Sequence, residues 1–211
     1  MSLNNSSKTS EILSAHFFQR ADVVSIAKEL IGKVLCTEFD GVLTTGQIVE
    51  TEAYNGIHDK ACHAHSGRFT KRTKVMYEPG GTAYIYLCYG IHHLFNIITN
   101  NEGIPDAVLI RAIEPLEGTQ TMLERRKMNQ KKRNLTAGPG ILSQALGIKT
   151  DQNGIQLTRE NGIWIEDHGL NITSNNIISG PRVGIGYAGE DALLPYRFSL
   201  RGNPWVSPAK T

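Results

Sequence analysis

The sequence predicts an α+β fold in a single domain, in which a few helices flank a curved, largely antiparallel sheet with a protruding β-hairpin. Two β-rich blocks, separated by a polar loop, predict the sheet. Helical patterns are short and scattered, and 21 Gly and 8 Pro punctuate the chain. With 211 residues, 40% of them apolar, the chain is long enough for one full-sized core. No internal repeat divides it, so residues 13–211 are predicted to form the domain and residues 1–12 a disordered tail.

The elements follow in order from local signals. The first helix is predicted to begin at Asp22, which precedes apolar residues at helical spacing, and to end at Gly32. Residues 34–39 and 42–54 are predicted strands, because the Asp-Gly pair between them is the strongest two-residue hairpin signal in the chain. Alternation predicts further strands at 84–88, 93–99, 107–112, 162–166, 182–186 and 197–200, and helical spacing predicts helices at 119–128 and 140–146.

Composition excludes several classes of protein. A net charge of only +2 argues against a strongly basic protein that coats nucleic acid. No apolar run approaches the roughly 20 residues needed to cross a bilayer, so no membrane partner is expected. The three cysteines form no C-x-x-C pair, which is typical of reduced thiols, and the polar start does not resemble a secretory signal. We therefore expect a cytoplasmic protein.

One predicted strand carries two carboxylates and a phenol on one face. Glu50, Glu52 and Tyr54 occupy alternate positions, and alternate residues of a strand point the same way. At a strand end, such a group suits general-base chemistry. From the spacing alone, the alternative is the solvated outer face of a half-buried strand.

Tyrosines are concentrated near this strand. Five of the seven fall within 36 positions: Tyr54, Tyr77, Tyr84, Tyr86 and Tyr89. Rings beside a polar loop can stack on a planar ligand such as a nucleobase. Ordinary packing in the sheet is the alternative for Tyr84 and Tyr86, whereas Tyr89, at a predicted turn tip, is harder to explain as core.

Two groups of cations differ in their predicted role. Arg68, Lys71, Arg72 and Lys74 lie beside the tyrosines and are well placed to meet a phosphate backbone. A second run puts six cations into residues 125–133, which we interpret as a solvated helix end or loop.

Histidines offer a weak metal signal. His63-x-His65 with His58 nearby has ligand-like spacing, but no established zinc pattern accompanies it. No metal site is predicted, and a metal hydrolase built on these histidines remains a competing interpretation that a chelator would test. The glycine-rich segment 180–186 matches neither a P-loop nor a dinucleotide fingerprint.

Several ordered blocks together resemble the alkyladenine (3-methyladenine) DNA glycosylase family, over nearly all of the chain after about residue 15. The blocks are Val49-Glu50-Thr51-Glu52-Ala53-Tyr54, Pro79-Gly80-Gly81-Thr82-Ala83-Tyr84-Ile85-Tyr86, Tyr89-Gly90, Asn96, Leu109-Ile110-Arg111-Ala112, Glu114-Pro115-Leu116-Glu117-Gly118, Ala137-Gly138-Pro139, Arg182-Val183-Gly184 and Arg201-Gly202-Asn203-Pro204-Trp205-Val206-Ser207. The resemblance implies a monofunctional base-excision glycosylase that acts on damaged double-stranded DNA as a monomer, without a cofactor. A non-catalytic DNA-binding protein is the other alternative, and the presence of Glu52 argues against it.

The resemblance also implies roles for individual residues. Glu52 matches the catalytic base that activates water, and Arg111 and the carbonyl of Val183 match groups that hold this water. The walls of the base pocket are matched by Tyr54, His63, Tyr84, Tyr86 and Leu109.

Other residues match groups that select the base or contact DNA. Asn96 matches the residue that crowds the 2-amino group of normal guanine, and Tyr89 matches the side chain that intercalates where the flipped nucleotide was. Further DNA contacts are implied at Arg68, Ile91 and His92; the last two depart from the Met and the aromatic residue of vertebrate members. Glu50 has no matched role, and we expect it to contact residues of the site and not the substrate itself.

Overall fold

The computed structural model describes residues 10–208, and all statements about the fold refer to them. The helices are α1 (Ala15–Phe18), α2 (Val23–Glu29), α3 (Thr119–Arg125) and α4 (Pro139–Leu146). The strands are β1 (Glu11–Ile12), β2 (Val34–Phe39), β3 (Val42–Tyr54), β4 (Ala83–Cys88), β5 (His92–Thr99), β6 (Asp106–Pro115), β7 (Ile163–Asp167), β8 (Ile177–Gly180) and β9 (Arg197–Leu200). This arrangement confirms the predicted α+β class.

The strands form one antiparallel sheet in the order β1-β7-β2-β3-β6-β5-β4. Strand β9 pairs with the second half of β3 and carries β8 on its other edge. The long strand β3 therefore has β2 beside its first half, β9 beside its second half and β6 along the opposite edge. Hydrogen bonding on both edges fixes the backbone around residues 50–52.

The main core lies between the sheet and its helices. Asp22 caps α2 by accepting a hydrogen bond from the backbone N–H of Ser25 at 3.0 Å, and the helix buries Ile26 against the sheet. Helix α4 contributes Leu142 and Leu146 to the same core. Among residues 10–208, no helix has the length and apolar character that crossing a membrane requires.

The strands β2 and β3 have the predicted bounds. Helix α1 and strand β8 were not predicted, α3 ends at Arg125 and not at residue 128, and two further segments differ in kind from the prediction. The segment 182–186, predicted as a strand, is an irregular loop followed by a 3₁₀ turn. Its alternating valine and isoleucine resemble a strand, but the N–H of Val183 donates to the side chain of Glu52 instead of to a neighbouring strand. Glu11 and Ile12, assigned to the tail, form β1 against β7. The rest of the predicted tail, residues 1–9, lies outside the described residues.

The β4–β5 hairpin ends in a tight turn. The N–H of Ile91 donates to the carbonyl of Cys88 at 3.2 Å, and the two residues between them have positive φ, 52° at Tyr89 and 71° at Gly90. Positive φ at both central residues is the type I′ geometry that suits twisted hairpins. Glycine adopts it without strain, while tyrosine pays a conformational cost. The turn holds the Tyr89 side chain in solvent, 92% exposed.

Candidate active site

Four of the predicted site residues form a single row across the sheet. Tyr84 on β4 is paired with Asn96 on β5, Asn96 with Leu109 on β6, and Leu109 with Glu52 on β3. Directly paired residues of neighbouring strands share a face of the sheet. The sheet register thus brings together side chains that lie up to 57 positions apart in the sequence.

Two irregularities in the β3–β6 ladder place an arginine between two carboxylates. The register passes from Ile48 to Glu50 on β3 and from Ala112 to Ile110 on β6, so Val49 and Arg111 are skipped. Such bulges redirect side chains and are common beside active sites. Nε of Arg111 lies 2.9 Å from Oε1 of Glu50, and Nη1 lies 3.2 Å from Oε1 of Glu52.

The carboxylate of Glu52 is buried and fully hydrogen-bonded, with no exposed surface. Oε1 accepts from the backbone N–H of Val183 at 2.7 Å and contacts Arg111, and Oε2 accepts from the hydroxyl of Tyr54 at 2.8 Å. The predicted convergence of Glu50, Glu52 and Tyr54 on one face is confirmed. The alternative of a solvated outer face is wrong, because β9 and the loop 181–186 cover this end of β3.

Glu50 is equally buried and has its own partners. Besides Arg111, its carboxylate accepts from the backbone N–H of Ser207 at 2.7 Å and lies 3.5 Å from Nη1 of Arg197. Burial by itself lowers the pKa of Arg111, but the negative charges of Glu52 and Glu50 raise it above its usual value. The arginine is therefore a permanent cation, and it offsets the cost of burying two carboxylates side by side.

An aromatic cavity of about 480 Å³ opens beside this cluster. The walls include Tyr54, His63, Tyr84, Tyr86, Asn96, Leu109, Arg111 and Val183, which are all predicted site residues. The rings of Tyr84 and Tyr86 lie 5.5 Å apart, and the His63 ring meets Tyr86 edge-on at 4.7 Å. A cavity of this size with aromatic walls and few polar groups suits a planar heterocycle. No lysine is present among its described lining residues.

His63 is held in its neutral form. Its Nδ1 lies 2.9 Å from the hydroxyl of Tyr84, and its Nε2 lies 3.3 Å from Nη2 of Arg72. Burial, with added repulsion from the cations of Arg72 and Arg68, lowers the pKa of His63 to about 4. At neutral pH the ring therefore lines the cavity without a charge, with both of its nitrogens bonded to neighbouring side chains.

The cavity tyrosines are protonated. Burial, and next to it the negative charge of Glu52, raises the pKa of Tyr54 well above its usual value. Burial raises the pKa of Tyr84 and of Tyr86 in the same way. The Tyr54 hydroxyl therefore donates to Glu52, and all three rings remain neutral stacking surfaces.

A buried ion pair that the sequence analysis missed holds the site together. Arg182 binds Asp59 through both terminal nitrogens, donates to the carbonyl of Ala53 at 2.8 Å, and places its guanidinium 4.8 Å from the centre of the Tyr54 ring. It thereby ties the loop before His63 and the loop at Val183 to the end of β3. No local pattern in the sequence indicates that Asp59 has a partner 123 positions away.

No metal-binding arrangement is present in the described part of the chain. Within residues 10–208, no group of three His, Cys, Asp or Glu side chains has the geometry to hold an ion. His63 instead contacts Tyr84 and Arg72, and Nδ1 of His65 lies 3.1 Å from the carbonyl of Ile57.

Of the residues predicted to contact DNA, Tyr89 lines the aromatic cavity, whereas Ile91 and His92 line a second cavity and Arg68 lines neither. Tyr89 and Ile91 are exposed at the hairpin tip, and Arg68 is exposed on the facing loop. His92 is also exposed and lies against Gly140, where a side chain would clash with its ring. Residues 60–77, which form the facing loop, contain five cations and no carboxylate.

The cationic run at 125–133 has mainly internal partners. Arg125 donates to the carbonyl of Ala145, and Arg126 to the side chain of Gln144, which fastens α3 to α4. Lys131 donates to the carbonyl of Pro115, and the guanidinium of Arg133 to that of Val206. The prediction of a solvated helix end and loop is confirmed, because the run follows the end of α3 and four of its six cations are exposed, although several of them also donate hydrogen bonds within the protein.

Comparison with known proteins agrees with the geometry. Residues 16–204 match the family model described as methylpurine-DNA glycosylase. A protein of Chlamydia pneumoniae is 45% identical over 190 residues, covering 90% of this chain and 95% of its own. A protein of Natranaerobius thermophilus is 45% identical, and the match covers 92% of this chain and 98% of the relative. A protein of Clostridium acetobutylicum is 44% identical, and the match covers 94% of this chain and 98% of the relative. Each of the three bears the name "putative 3-methyladenine DNA glycosylase".

Proposed function

The chain belongs to the methylpurine-DNA glycosylase family and is a DNA glycosylase, and we propose that it flips damaged purines out of duplex DNA and hydrolyses their N-glycosidic bond. The substrates would be of the 3-methyladenine, 7-methylguanine, hypoxanthine and ethenoadenine class. The observation that carries the proposal is a buried, hydrogen-bonded Glu52 directly beside an aromatic cavity of purine size.

Base flipping is the first step of the proposed mechanism. A base inside a duplex is out of reach of any cavity, and extruding it costs a few kcal/mol. Tyr89, exposed on a rigid turn next to the cavity, is suited to fill the vacated gap. The flipped purine would then stack between Tyr54 on one side and the Tyr86–His63 wall on the other, where an alkylated, electron-poor ring stacks well.

Hydrolysis is the second step. As the bond between the base nitrogen and C1′ breaks, the sugar becomes an oxocarbenium-like cation, which the negative charge of Glu52 stabilises. Glu52 accepts a proton from the water that attacks C1′, and the base leaves with the bonding electron pair. Cationic bases leave directly, whereas neutral ones such as hypoxanthine must gain a proton. Arg111 and Val183, both in contact with Glu52, would orient the water.

The same site supports a monofunctional enzyme without a cofactor. Strand cleavage by a glycosylase needs an amine that forms a Schiff base, and the described cavity walls include no lysine. We infer that the protein acts as a monomer on damaged double-stranded DNA, in the cytoplasm at the nucleoid. The five cations of residues 60–77 support this choice of partner.

The test is release of a base from a duplex that carries a single ethenoadenine, hypoxanthine or 3-methyladenine. We expect release of the free base, an intact strand until alkali is added, and no effect of a chelator. The undamaged duplex of the same sequence is the control. No release of any of the three bases would overturn the proposal, and loss of activity with chelator followed by recovery with zinc would favour the metal hydrolase.

A further inference from the structure

The general base is closed off in the free protein. To act, a carboxylate oxygen of Glu52 must touch a water molecule, yet Glu52 has no exposed surface. Three groups that line the cavity separate Glu52 from solvent. They are the ring and hydroxyl of Tyr54, the guanidinium of Arg111 and the backbone of Val183. At least one of them has to move before water can reach the base.

Two of these three groups are firmly anchored. Arg111 is hydrogen-bonded to Glu50 at 2.9 Å and contacts Ser207 at 3.4 Å, and its side chain is 7% exposed. The backbone at Val183 follows Arg182, which is fastened by Asp59 and by the carbonyl of Ala53. Moving either group would break a buried charge pair, which is costly.

Tyr54 is the group that can move. Tyr54 is the last residue of β3 and is partly exposed, although its ring packs against a cluster that includes Ala61 and Ile185. Unlike the contacts that hold the other two groups, the hydrogen bond from its hydroxyl to Oε2 of Glu52 is not part of a buried charge pair. Arg182 lies against one face of the ring and does not line the cavity, so the other face is open to a ligand. A purine on that face attracts the ring into the position of best overlap, and a small shift of the ring is enough to break the hydrogen bond from its hydroxyl to Glu52.

We propose that the Tyr54 hydroxyl is a cap on the general base, and that a flipped purine removes it by stacking on the ring. The inference rests on the proposed function and adds a specificity-determining role to Tyr54. Only a base that stacks strongly enough to displace the hydroxyl uncovers Oε2 for water. A base that enters the cavity but stacks weakly, or an empty cavity, leaves Glu52 covered. Recognition of the base and exposure of the catalytic group are thereby one event.

The cap has two properties that such a gate needs. The raised pKa of Tyr54, due to its burial and then to the charge of Glu52, keeps the hydroxyl a donor at all physiological pH values. A hydrogen bond to a charged group is stronger than one between neutral groups, so the closed state is favoured without a ligand. It is still only one bond, which aromatic stacking of comparable strength can offset.

The hydroxyl proton of Tyr54 can be followed directly in the wild-type protein. A phenol bonded to a buried carboxylate exchanges slowly with water and gives a downfield proton resonance, assigned by its absence from Tyr54→Phe. We expect this resonance in the free protein and with undamaged duplex. It should disappear or move upfield with a duplex that carries a 2′-fluoro ethenoadenine nucleotide, whose glycosidic bond resists cleavage. A resonance that persists in this complex overturns the cap.

Selectivity of the Tyr54→Phe variant is the second test. Phenylalanine keeps the stacking ring and removes the cap, so Glu52 is no longer reserved for bases that stack well. Single-turnover release of undamaged adenine should rise about tenfold above wild type, a fold-change in line with one hydrogen bond to a charged group. A variant that merely damaged the cavity would release less of every base. Tyr196→Phe, which removes the hydroxyl of the ring on the other side of Arg182, is the matched control.

The outcomes separate this inference from the proposed function. Release of undamaged adenine by Tyr54→Phe at or below the wild-type rate would overturn the cap, provided that wild type releases ethenoadenine in the same assay. Failure of wild type to release any damaged base would count against the proposed function itself. The proton resonance of the free protein does not depend on the release of either kind of base, because it reports only the hydrogen bond between Tyr54 and Glu52.

Discussion

Glu50 and Glu52 have no exposed surface and accept hydrogen bonds from five different residues, whereas Tyr89, on the neighbouring hairpin, is 92% exposed. The first region holds its polar groups in one geometry through contacts from β3, β6, β9 and the loop at 181–186. The second fixes only its backbone, through a type I′ turn, and leaves the apolar side chains of Tyr89 and Ile91 largely in solvent. We infer that the ion pairs of the carboxylate cluster are formed before the substrate arrives and that only the Tyr54 hydroxyl moves on binding, whereas the hairpin gains its contacts from the substrate.

The difference has a physical reason. A charge that is buried must be paired at all times, because an unpaired one costs several kcal/mol. An exposed aromatic ring costs little in solvent and gains its contacts only when a partner covers it. Substitutions in the cluster should therefore affect bond cleavage, and those in the hairpin should affect the binding and flipping of DNA.

The largest effect is expected for Glu52→Gln. The substitution keeps the shape but removes the base and the negative charge, so base release should fall at least ~10³-fold, or about 4 kcal/mol of barrier, while damaged DNA is still bound. Single-turnover kinetics measure the base release, and a binding assay with the same duplex measures the affinity for damaged DNA. Glu166→Gln on β7, remote from the cavity, is the control. An active Glu52→Gln protein would contradict the assignment and make Glu50 the next candidate.

A strong dependence of binding on salt is expected next, despite the net charge of only +2. Each phosphate contact contributes about 0.9 to the log–log slope, so four contacts would weaken binding ~10²-fold for a fourfold rise in salt. Lys71→Ala should reduce the slope by about one, and Lys28→Ala on α2 should not change it. A flat affinity would exclude a DNA-facing surface at residues 60–77.

Tyr89→Ser tests the hairpin side of the comparison. Loss of the stacking ring should lower the flipped population by about 5- to 150-fold, the equivalent of roughly 1–3 kcal/mol. The fluorescence of ethenoadenine reports flipping separately from cleavage. Leu170→Ser, an exposed apolar residue at the far edge of the sheet, is the matched control. If cleavage of an unpaired, bulged lesion slows as much as that of a paired one, Tyr89 belongs to the cavity instead.

Asn96 should have a smaller effect, confined to selectivity. It is buried in the row that ends at Glu52, and its amide nitrogen is held by the carbonyls of Tyr84 and Leu94 at 3.1 and 3.3 Å. A rigid polar group there can crowd the 2-amino group of guanine. Asn96→Ala should raise guanine release relative to hypoxanthine about 5- to tenfold. An unchanged ratio would assign selectivity to flipping alone.

Titration of His63 should have no effect at neutral pH and a measurable one in acid. Its pKa of about 4 lies below the ~6.5 of the unfolded chain, so the unfolded state binds more protons between these values. Stability should be constant above about pH 6.5 and should fall by about 2 kcal/mol as the pH drops toward 4, after allowance for partial exposure. Urea unfolding at pH 7 and pH 4.5 measures this loss, which His63→Gln should reduce. Equal losses in both proteins would argue against a depressed pKa.

Local patterns predicted much of the sheet and less of the site. The strands on both sides of the Asp-Gly turn were correct because alternation and turn chemistry act within a few residues. The same alternation put Glu50, Glu52 and Tyr54 on one face but left open whether water covers that face. Whether this face is solvated depends on the pairing of β3 with β6 and β9, and these strands are distant from β3 in the sequence.

The loop at 181–186 shows why the sequence patterns missed several contacts of the site. Its apolar alternation predicted a strand, but Arg182 and the N–H of Val183 find their partners on β3 and at Asp59. No local pattern encodes such contacts. The roles of His63, Asn96 and Tyr89 came from the resemblance to a family and remain predictions, and the substitutions above test those of Asn96 and Tyr89.

The partners of the carboxylate cluster also set when it forms during folding. Ser207 meets Glu50 across 157 positions, Val183 meets Glu52 across 131, and Arg182 meets Asp59 across 123. Contacts at such separation form late, because the intervening chain must first be ordered. During synthesis β3 leaves the ribosome long before these partners, so its acidic groups have to stay hydrated until the C-terminal third arrives. Catalytic competence is thus one of the last properties that the growing chain acquires.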